Sequence, residues 1–520
     1  MLVIPTDPLI LSVLLSFALI LGAILLSLSK RGSRAHLPPG PSALPLVGNL
    51  FQLPRKDLPK AFAALSDRYG PICHMRSFNK CFVVINSLEL AQAMFIKRRA
   101  TYSHRPRLVM AQEIMKRDTM LFMNYGPEFK KSRQLVRTFV HRKTASKYWE
   151  VQEIESLKFV LSVQRTPTDV LELTRWAATS LITRLLYGIE VKNKDDPLVR
   201  LAADHAHLMT EAIEPGKWLV DTFPLLRHVP AWLPGAGFKR WAKRARARMD
   251  EFSWLPYATI KQNIDAGNIT ISPCWVAENL LEPGTVEPLT AQDEKELRVA
   301  ATSLYSGVYC STSAMISTFI LLMLHYPWVQ KKAQEEIDRV TEGGAWVPGM
   351  QDREKFPYVN CVIKELFRFN PAVPIATHSL HEDDLFEGYF IPKGTWVMAN
   401  IWGFTHDETR YPDPDLFVPE RFEMGVGKRP QDDPLDIVFS FGPRSCPGYP
   451  LGLASVYLNV IHLLFAFDIV PAKDAAGKMD APPIAFTDDH VPHPKPFACS
   501  MRERTAGRIT LLEHTLHSLQ

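Results

Sequence analysis

The sequence predicts a mainly α-helical fold with small β-sheets, preceded by one N-terminal transmembrane helix. Three observations predict it: a charge-free apolar run near the N-terminus, a long proline-free helical stretch from Ala291, and few strand-like runs, of which Cys81–Ile85 and Trp396–Ala399 are clear examples. The 520 residues are 46% hydrophobic and 22% charged, a globular composition that excludes a disordered or fibrous protein. With a net charge of +5, basic and acidic residues are too nearly balanced to indicate nucleic acid as the main partner.

The N-terminal run carries no charge from Pro8 to Ser29, which is long enough for a helix to cross a bilayer core of about 30 Å. Lys30 and Arg31 follow at once, so the positive-inside rule leaves the downstream chain in the cytosol. A cleaved signal peptide is the alternative, but no basic segment precedes the run and no A-x-A site follows it. We therefore expect a single-pass anchor over residues 1–29.

The chain after the anchor divides into a short spacer and one large body. Residues 30–48 combine the basic stop with a proline-rich hinge, in which Leu37–Pro41 reads Leu-Pro-Pro-Gly-Pro and holds the chain extended. Residues 49–520 show no internal repeat and no second linker, so we expect a single catalytic domain there.

The clearest helix starts at Ala291, with a capping-box pattern in which Asp293 follows Thr290 by three residues, and it ends before Pro327. A helix of this length spans about 50 Å and should cross the core. Its middle is rich in small polar residues, and helical spacing places four of them on one face: Ser303, Ser306, Cys310 and Ser313. This pattern indicates that something other than side chains packs there, although close helix–helix packing is the alternative.

Seven cysteines occur without a C-x-x-C pair, which argues against a disulfide scaffold and against a zinc ribbon. Cys446 stands out because of its neighbours. Gly442 and Gly448 let backbone approach a flat ligand and let amide N–H groups point at sulfur, and Arg444 adds a cation that favours the metal-binding thiolate. Phe439 supplies an apolar wall. A buried, inert cysteine is the alternative.

The segment from Phe439 to Gly448 resembles the haem-thiolate loop of the cytochrome P450 family, F-x-x-G-x-R-x-C-x-G, at all five fixed positions. The resemblance implies the cytochrome P450 fold and a haem b cofactor with Cys446 as axial thiolate and only metal ligand, which favours cleavage of the O–O bond.

Two further motifs follow in the family's order. Glu365-Leu-Phe-Arg368 resembles its E-x-x-R helix, and Pro419-Glu-Arg421-Phe resembles its P-E-R-F motif, so Arg421 is expected to complete a structural network with Glu365 and Arg368. The stretch 215–234 is similar to a fungal secondary-metabolism branch.

The same resemblance implies three contacts to the haem propionates, from Arg444, Arg133 and His378. Arg133 matches the arginine of the family's W-x-x-x-R motif, with Phe129 in place of tryptophan and therefore without the indole N–H donor. For His378, an ordinary loop histidine is the alternative.

The oxygen-binding helix departs from the family's A-G-x-D/E-T pattern, because Tyr309 replaces the acid and Cys310 replaces the alcohol. A phenol and a thiol are poor proton donors at neutral pH. We expect Ser311 or Ser306, with ordered water, to supply the proton relay for ordinary hydroxylation. In the alternatives, the substrate supplies its own hydroxyl, or the same haem supports desaturation, dehydration or isomerisation. A non-catalytic haem sensor or binding protein is the alternative from another class.

The resemblance also implies which segments line the substrate site: Arg105–Phe122, His205–Thr222, Ala300–Cys310, Val373–Thr377 and Phe486–Val491. Their apolar residues indicate a mainly hydrophobic small molecule. Asp488 and Asp489 fit a basic substrate, or they belong to a solvated turn, which we favour.

Electrons have to come from outside the chain, since the sequence has no nucleotide or flavin fingerprint. The resemblance implies NADPH and flavin only through an NADPH-cytochrome reductase, with O₂ as co-substrate. Such a reductase would dock on a basic face of the protein. The residues of this face are Lys130, Lys131, Arg133, Arg137, Arg142 and Lys143. The alternative is that these residues form a solvated basic surface without a partner. The sequence thus predicts a monooxygenase of the endoplasmic reticulum membrane, with its catalytic domain in the cytosol.

Overall fold

The computed structural model describes Gly22 and residues 37–140, 144–267, 274–281, 289–425, 429–473 and 477–520. Apart from Gly22, the predicted membrane helix lies outside the described residues, and so do Lys30, Arg31, Arg142 and Lys143. The anchor, and the division into 1–29, 30–48 and 49–520, therefore stay predictions.

The described residues are mostly helical, as the sequence predicts. The helices of the first half are α1 Leu58–Tyr69, α2 Leu88–Gln92, α3 Arg99–Tyr102, α4 Pro127–Val140, α5 Trp149–Arg165, α6 Val170–Tyr187, α7 Pro197–Ile213, α8 Leu219–Thr222 and α9 Gly237–Asp265. Those of the second half are α10 Trp275–Leu280, α11 Ala291–His325, α12 Pro327–Val340, α13 Pro357–Phe369, α14 Ile401–Thr405, α15 Leu435–Val438, α16 Tyr449–Ala466 and α17 Arg508–Leu519. Two π-helical segments, Ala93–Lys97 and Val109–Ile114, accompany them.

The strands are short and form small sheets. They are β1 Ile72–Ser77, β2 Lys80–Ile85, β3 Ile375–Ser379, β4 Asp384–Phe386, β5 Tyr389–Ile391, β6 Trp396–Asn400, β7 Phe467–Pro471 and β8 Cys499–Glu503. One sheet has the order β1-β2-β6-β3, in which β1 and β2 are antiparallel and β2 and β6 are parallel, and the pairs β4-β5 and β7-β8 form two ribbons.

Contacts divide the chain into two compact units. One contains the described residues up to Pro106 together with Thr377–Asn400, and the other contains Arg107–Ala376 and Ile401–Gln520. The core of the second unit is built from α5, α6, α11 and α16, whose apolar side chains are almost completely buried. This core holds the elements on which most of the candidate site residues lie.

The predicted core helix is observed as α11, from Ala291 to His325. Its first turn is capped because the Thr290 Oγ1 atom accepts a hydrogen bond from the Asp293 amide at 3.2 Å. It ends where Pro327 begins α12, since proline has no N–H with which to continue the ladder. Among the described residues, α11 and α16 are long and apolar enough to cross a membrane, but their most apolar stretches are mostly buried, which is typical of core helices.

Candidate active site

The loop before α16 places Cys446 by a closed backbone turn. Ser440 and Gly442 have φ of 62° and 58°, a left-handed conformation that glycine adopts without strain. The Cys446 amide donates a hydrogen bond to the Phe439 carbonyl oxygen at 2.7 Å. Gly448 is the N-cap of α16, so the positive end of this helix lies next to the cysteine.

The Cys446 thiol is accessible to a water-sized probe, yet enough protein surrounds it for burial to raise its pKa above 9.0. The amides of Gly448 and Tyr449 and the Arg133 guanidinium act in the opposite direction and favour thiolate. The sequence predicted these donors, but burial outweighs them. A bound metal cation would supply the remaining stabilisation of the thiolate.

Phe439 and Gly448 flank Cys446 in the loop and have different surroundings. The Phe439 ring packs against Phe367 and Tyr449, with centroids 5.4 and 4.5 Å apart, and its predicted role as an apolar wall of the cysteine site stays a prediction. A Cβ at Gly448 would lie 3.9 Å from the Cys446 Sγ, an ordinary contact distance.

Arg444 is buried and turned toward α4. Its guanidinium lies 3.8 Å from the centroid of the Phe129 ring and donates to the carbonyl oxygens of Met120, at 3.3 Å, and Met123, at 2.5 Å. The phenylalanine that replaces the family's tryptophan thus keeps a ring contact with a cationic side chain of the cysteine loop. The sequence showed only the loss of the indole donor and gave no sign of this pairing.

Arg133 connects α4 to the same loop. Its Nη2 donates to the Ser445 carbonyl oxygen at 2.5 Å, while its Nε is buried and has no hydrogen-bond partner among the described residues. Burial lowers the pKa of this guanidinium, an effect that a nearby anion would reverse. An unpaired donor next to an accessible thiol is what a carboxylated, metal-centred cofactor would satisfy.

The centre of α11 opens onto free space. Gly307 is exposed in the middle of an otherwise buried helix, and a Cβ built on it would meet no heavy atom within 4 Å. Burial raises the pKa of both Tyr309 and Cys310 to about 12, so neither group ionises near neutral pH. The physical basis for regarding them as weak proton donors is therefore stronger in the folded chain than in the sequence.

The serines of α11 are mostly engaged with their own helix. Ser311 donates to the Gly307 carbonyl oxygen at 2.7 Å and Ser313 donates to the Tyr309 carbonyl oxygen at 2.7 Å. Ser306 is half-buried. Sequence reasoning missed His493, whose Nε2 lies 3.3 Å from the Ser313 Oγ. Its position two residues after a predicted substrate segment was the only available signal.

The E-x-x-R and P-E-R-F motifs meet in the core. The Arg368 Nε and Nη2 donate to the two carboxylate oxygens of Glu365 at 2.7 and 2.8 Å, and the Arg421 Nε donates to the same carboxylate at 3.3 Å. The Arg368 guanidinium also donates to the carbonyl oxygens of Thr405 and Leu416, each at 3.0 Å. The structure thus brings together all three side chains that the sequence grouped.

His378 belongs to the other unit and lies in β3, where it is buried. Its Nδ1 is 2.9 Å from the Tyr102 carbonyl oxygen, and its ring packs on Phe95 with centroids 4.2 Å apart. The residue lies in a buried strand rather than a loop, and these contacts are also those of a histidine with a structural role. Its predicted role as a propionate partner stays a prediction.

Two predicted substrate segments form one apolar cluster. The π-helix Val109–Ile114 and Phe122 pack with α7, α8 and α9. The Met110 amide donates to Asp221 Oδ1 at 2.9 Å, which fixes the π-helix to α8. By contrast, Asp488 and Asp489 are exposed, in agreement with the solvated turn that the sequence favours.

The predicted basic face is narrower in the structure. The Lys131 Nζ pairs with Asp293 and Glu296 of α11, at 3.1 and 2.8 Å, and Arg133 is turned toward Ser445. Lys130 and Arg137 are exposed on α4. Of the predicted set, these two are the described residues that offer positive charge to a partner.

Comparison with known proteins agrees with this arrangement. The family model described as "Cytochrome P450" matches residues 38–496. Cytochrome P450 monooxygenase 208 of Postia placenta is 38% identical over 490 residues, covering 93% of each chain. Cytochrome P450 monooxygenase claR of Ampulloclitocybe clavipes is 37% identical over 483 residues, covering 92% of this chain and 88% of its own.

The fold and these matches define an enzyme of the haem-thiolate class. The chain belongs to the cytochrome P450 family. It is a fungal-type monooxygenase and hence an oxidoreductase, so the alternative of a non-catalytic haem sensor is not supported.

Proposed function

We propose that this protein is a membrane-anchored, haem-thiolate monooxygenase that inserts one oxygen atom from O₂ into an apolar secondary metabolite. Cys446 is the proposed axial ligand of haem b. The haem, when bound, supplies the activation of O₂. The proposal rests on one observation above all, which is the accessible thiol enclosed by protein at the N-terminus of α16.

The surrounding residues would hold the cofactor in a defined orientation. The Gly448 and Tyr449 amides point at the sulfur and keep it anionic once a metal is bound. The unpaired Arg133 Nε is suited to a propionate, and Arg444, fixed on Phe129, adds a second cation on the same loop. The exposed backbone at Gly307 leaves room for a flat ligand on the side of α11.

The apolar cluster formed by Val109–Ile114, Phe122, α7 and α8 supports a hydrophobic substrate, because its side chains would offer dispersion contacts to an apolar molecule bound against them. Binding there would exclude water from the reacting carbon. The secondary-metabolite assignment is supported by the resemblance of residues 215–234 to that fungal branch.

Electron supply is proposed from NADPH through a flavin-containing NADPH-cytochrome reductase. Lys130 and Arg137 on α4 offer charge complementary to an acidic partner. The proposed location is the endoplasmic reticulum membrane, with residues 1–29 as the anchor, because the run from Pro8 to Ser29 carries no charge and basic residues follow it.

The test is a spectrum of the reduced, carbon-monoxide-bound protein. The wild type should show the Soret band typical of thiolate-ligated haem, and Cys446→Ala should abolish it. Cys81→Ala, a half-buried cysteine on β2, is the matched control and should retain the band. A thiolate-type band that survives in Cys446→Ala would refute the assignment.

A further inference from the structure

The C-terminal loop brings a histidine to the oxygen-binding helix. Residues 485–495 form a hairpin-like turn in which the Lys495 amide donates to Ala485 and the Thr487 amide donates to His493, each to a carbonyl oxygen at 2.8 Å. The His493 amide donates in return to the Thr487 Oγ1 at 3.1 Å. These bonds fix the half-buried imidazole with its Nε2 3.3 Å from the Ser313 Oγ.

The hydrogen bonds of His493 define how it holds a proton. Its Nδ1 lies 3.0 Å from the Val491 carbonyl oxygen, which only accepts, so Nδ1 carries a hydrogen. In the neutral ring, Nε2 accepts from the Ser313 hydroxyl. In the charged ring, Nε2 donates to the Ser313 Oγ, and the hydroxyl hydrogen turns to the Tyr309 carbonyl oxygen at 2.7 Å. Each change in protonation of His493 therefore changes the acceptor to which the Ser313 hydroxyl hydrogen points.

Ser313 lies one helical turn beyond Tyr309 and Cys310, which replace the family's acid and alcohol. Both replacements stay protonated, with pKa values of about 12. Ser311, the sequence-predicted alternative, donates to the Gly307 carbonyl oxygen as Ser313 does to that of Tyr309, but the contact with a histidine is made by Ser313. Among the described residues near this turn, His493 is thus the group with a hydrogen bond to α11 and an ordinary pKa close to neutral.

Two charges from different elements act on His493. Asp489, exposed on the same loop, raises the pKa of the imidazole, whereas Arg175 of α6 and burial lower it. The field of Asp489 also reaches Cys310. The charge of this exposed carboxylate therefore favours the protonated form of His493.

We propose that His493, acting through Ser313 and reprotonated from solvent, provides protons to the oxygen-binding helix in place of the acid–alcohol pair. The proposal rests on the proposed function, in which RH + O₂ + 2 H⁺ + 2 e⁻ gives ROH + H₂O with NADPH as the electron source. The imidazolium gives its Nε2 proton to the Ser313 oxygen, and the serine hydroxyl proton leaves its bond to the Tyr309 carbonyl oxygen for an ordered water on the side of the O₂ site. Solvent then reprotonates Nε2.

The first readout needs no turnover. Diethyl pyrocarbonate modifies neutral imidazole, so the pH dependence of His493 labelling in the full-length protein, followed by peptide mass spectrometry, gives its pKa. Asp489→Asn should lower the midpoint and Arg175→Gln should raise it, each by several tenths of a pH unit to about one unit. The exposed His490 serves as the internal reference in each sample. A His493 midpoint that neither variant moves would show that His493 does not lie in this charge environment and would overturn its proposed role.

The second readout is the rate at which the reduced, haem-loaded protein returns to its oxidised spectrum after mixing with O₂, measured across pH. In the wild type the midpoint should match that of His493. His493→Gln should flatten the profile and slow the proton-dependent rate about tenfold or more, whereas His490→Gln should resemble the wild type. Ser313→Thr should keep the profile and Ser313→Ala should lose it, which also provides the test if His493→Gln fails to fold.

Different results would refute the proposed function and the proposed proton route. A wild-type protein without the thiolate-type carbon-monoxide band would refute the proposed function. A normal band together with an unchanged pH profile in His493→Gln and Ser313→Ala would refute the proton route alone.

Discussion

Glu365 and Arg368 form a completely buried, two-pronged ion pair, with the Arg368 Nε 2.7 Å and Nη2 2.8 Å from the two carboxylate oxygens. Arg421 adds a third side chain at 3.3 Å, and the Val418 amide donates to the same carboxylate at 2.8 Å. Val418 and Arg421 lie in or next to the P-E-R-F segment, which leads to the cysteine loop. The Glu365–Arg368 pair therefore holds this segment against α13.

Removing one partner of this pair should destabilise the protein strongly. Arg368→Ala leaves the Glu365 carboxylate buried with one fewer cation, which typically costs about 3–5 kcal/mol. We expect a lower midpoint of chemical unfolding and reduced haem incorporation. Lys331→Ala, which breaks the exposed pair with Glu335 at 4.0 Å, is the control and should change stability by less than about 1 kcal/mol. Equal effects of the two variants would contradict the structural role.

Replacing Phe129 with leucine should loosen the cysteine loop. Leucine preserves much of the apolar volume but removes the ring 3.8 Å from the Arg444 guanidinium, a loss of about 1–2 kcal/mol for a buried pair. We expect faster release of haem to an acceptor apoprotein. Phe223→Leu, at a partly exposed ring, should leave the release rate unchanged. An unaltered rate in Phe129→Leu would show that the ring contact does not stabilise the loop.

His205→Phe should make the protein more resistant to acid. The imidazole is buried, stacks on Phe252 with centroids 4.0 Å apart, and has no hydrogen-bond partner for either nitrogen among the described residues. Burial lowers its pKa to about 3, so the unfolded chain binds more protons and stability falls as pH drops below about 6.5.

At pH 5 the protonation of His205 in the unfolded chain lowers the free energy of unfolding by about 2 kcal/mol. The measurement is the free energy of unfolding at pH 7.5 and pH 5. His205→Phe should show a smaller loss between the two than the wild type, and His207→Phe, at an exposed position on the same helix, should show the wild-type loss. The prediction is wrong if the pH dependence of His205→Phe matches that of the wild type.

Reversing charge at Lys130 and Arg137 should weaken the encounter with a reductase. The double substitution to glutamate reverses the charge of two exposed basic residues of α4, and we expect about a tenfold rise in the reductase concentration at half-maximal rate at low salt. The difference should shrink at high ionic strength, where surface charges are screened. Lys331→Glu on α12 is the control. Rates insensitive to ionic strength would favour a merely solvated basic face.

Local sequence signals located most elements and many of the candidate residues. The N-cap at Thr290 and the proline at 327 bounded α11, and the spacing of Glu365 and Arg368 placed both charges on one helical face. Contacts between distant parts of the chain could not be predicted from these local signals. The pairing of Phe129 with Arg444 and that of Ser313 with His493 join segments more than 150 residues apart, for which periodicity carries no information.

The sequence by itself determined the family, the helical class and the identity of the candidate thiol, because these depend on residue type at fixed short spacing. Only the tertiary structure decided the environment of each group: that burial outweighs the donors at Cys446, that Lys131 is paired with α11, and that a histidine from the C-terminal loop meets Ser313. Desolvation and through-space charge set these properties, and both depend on which distant segments the fold packs together.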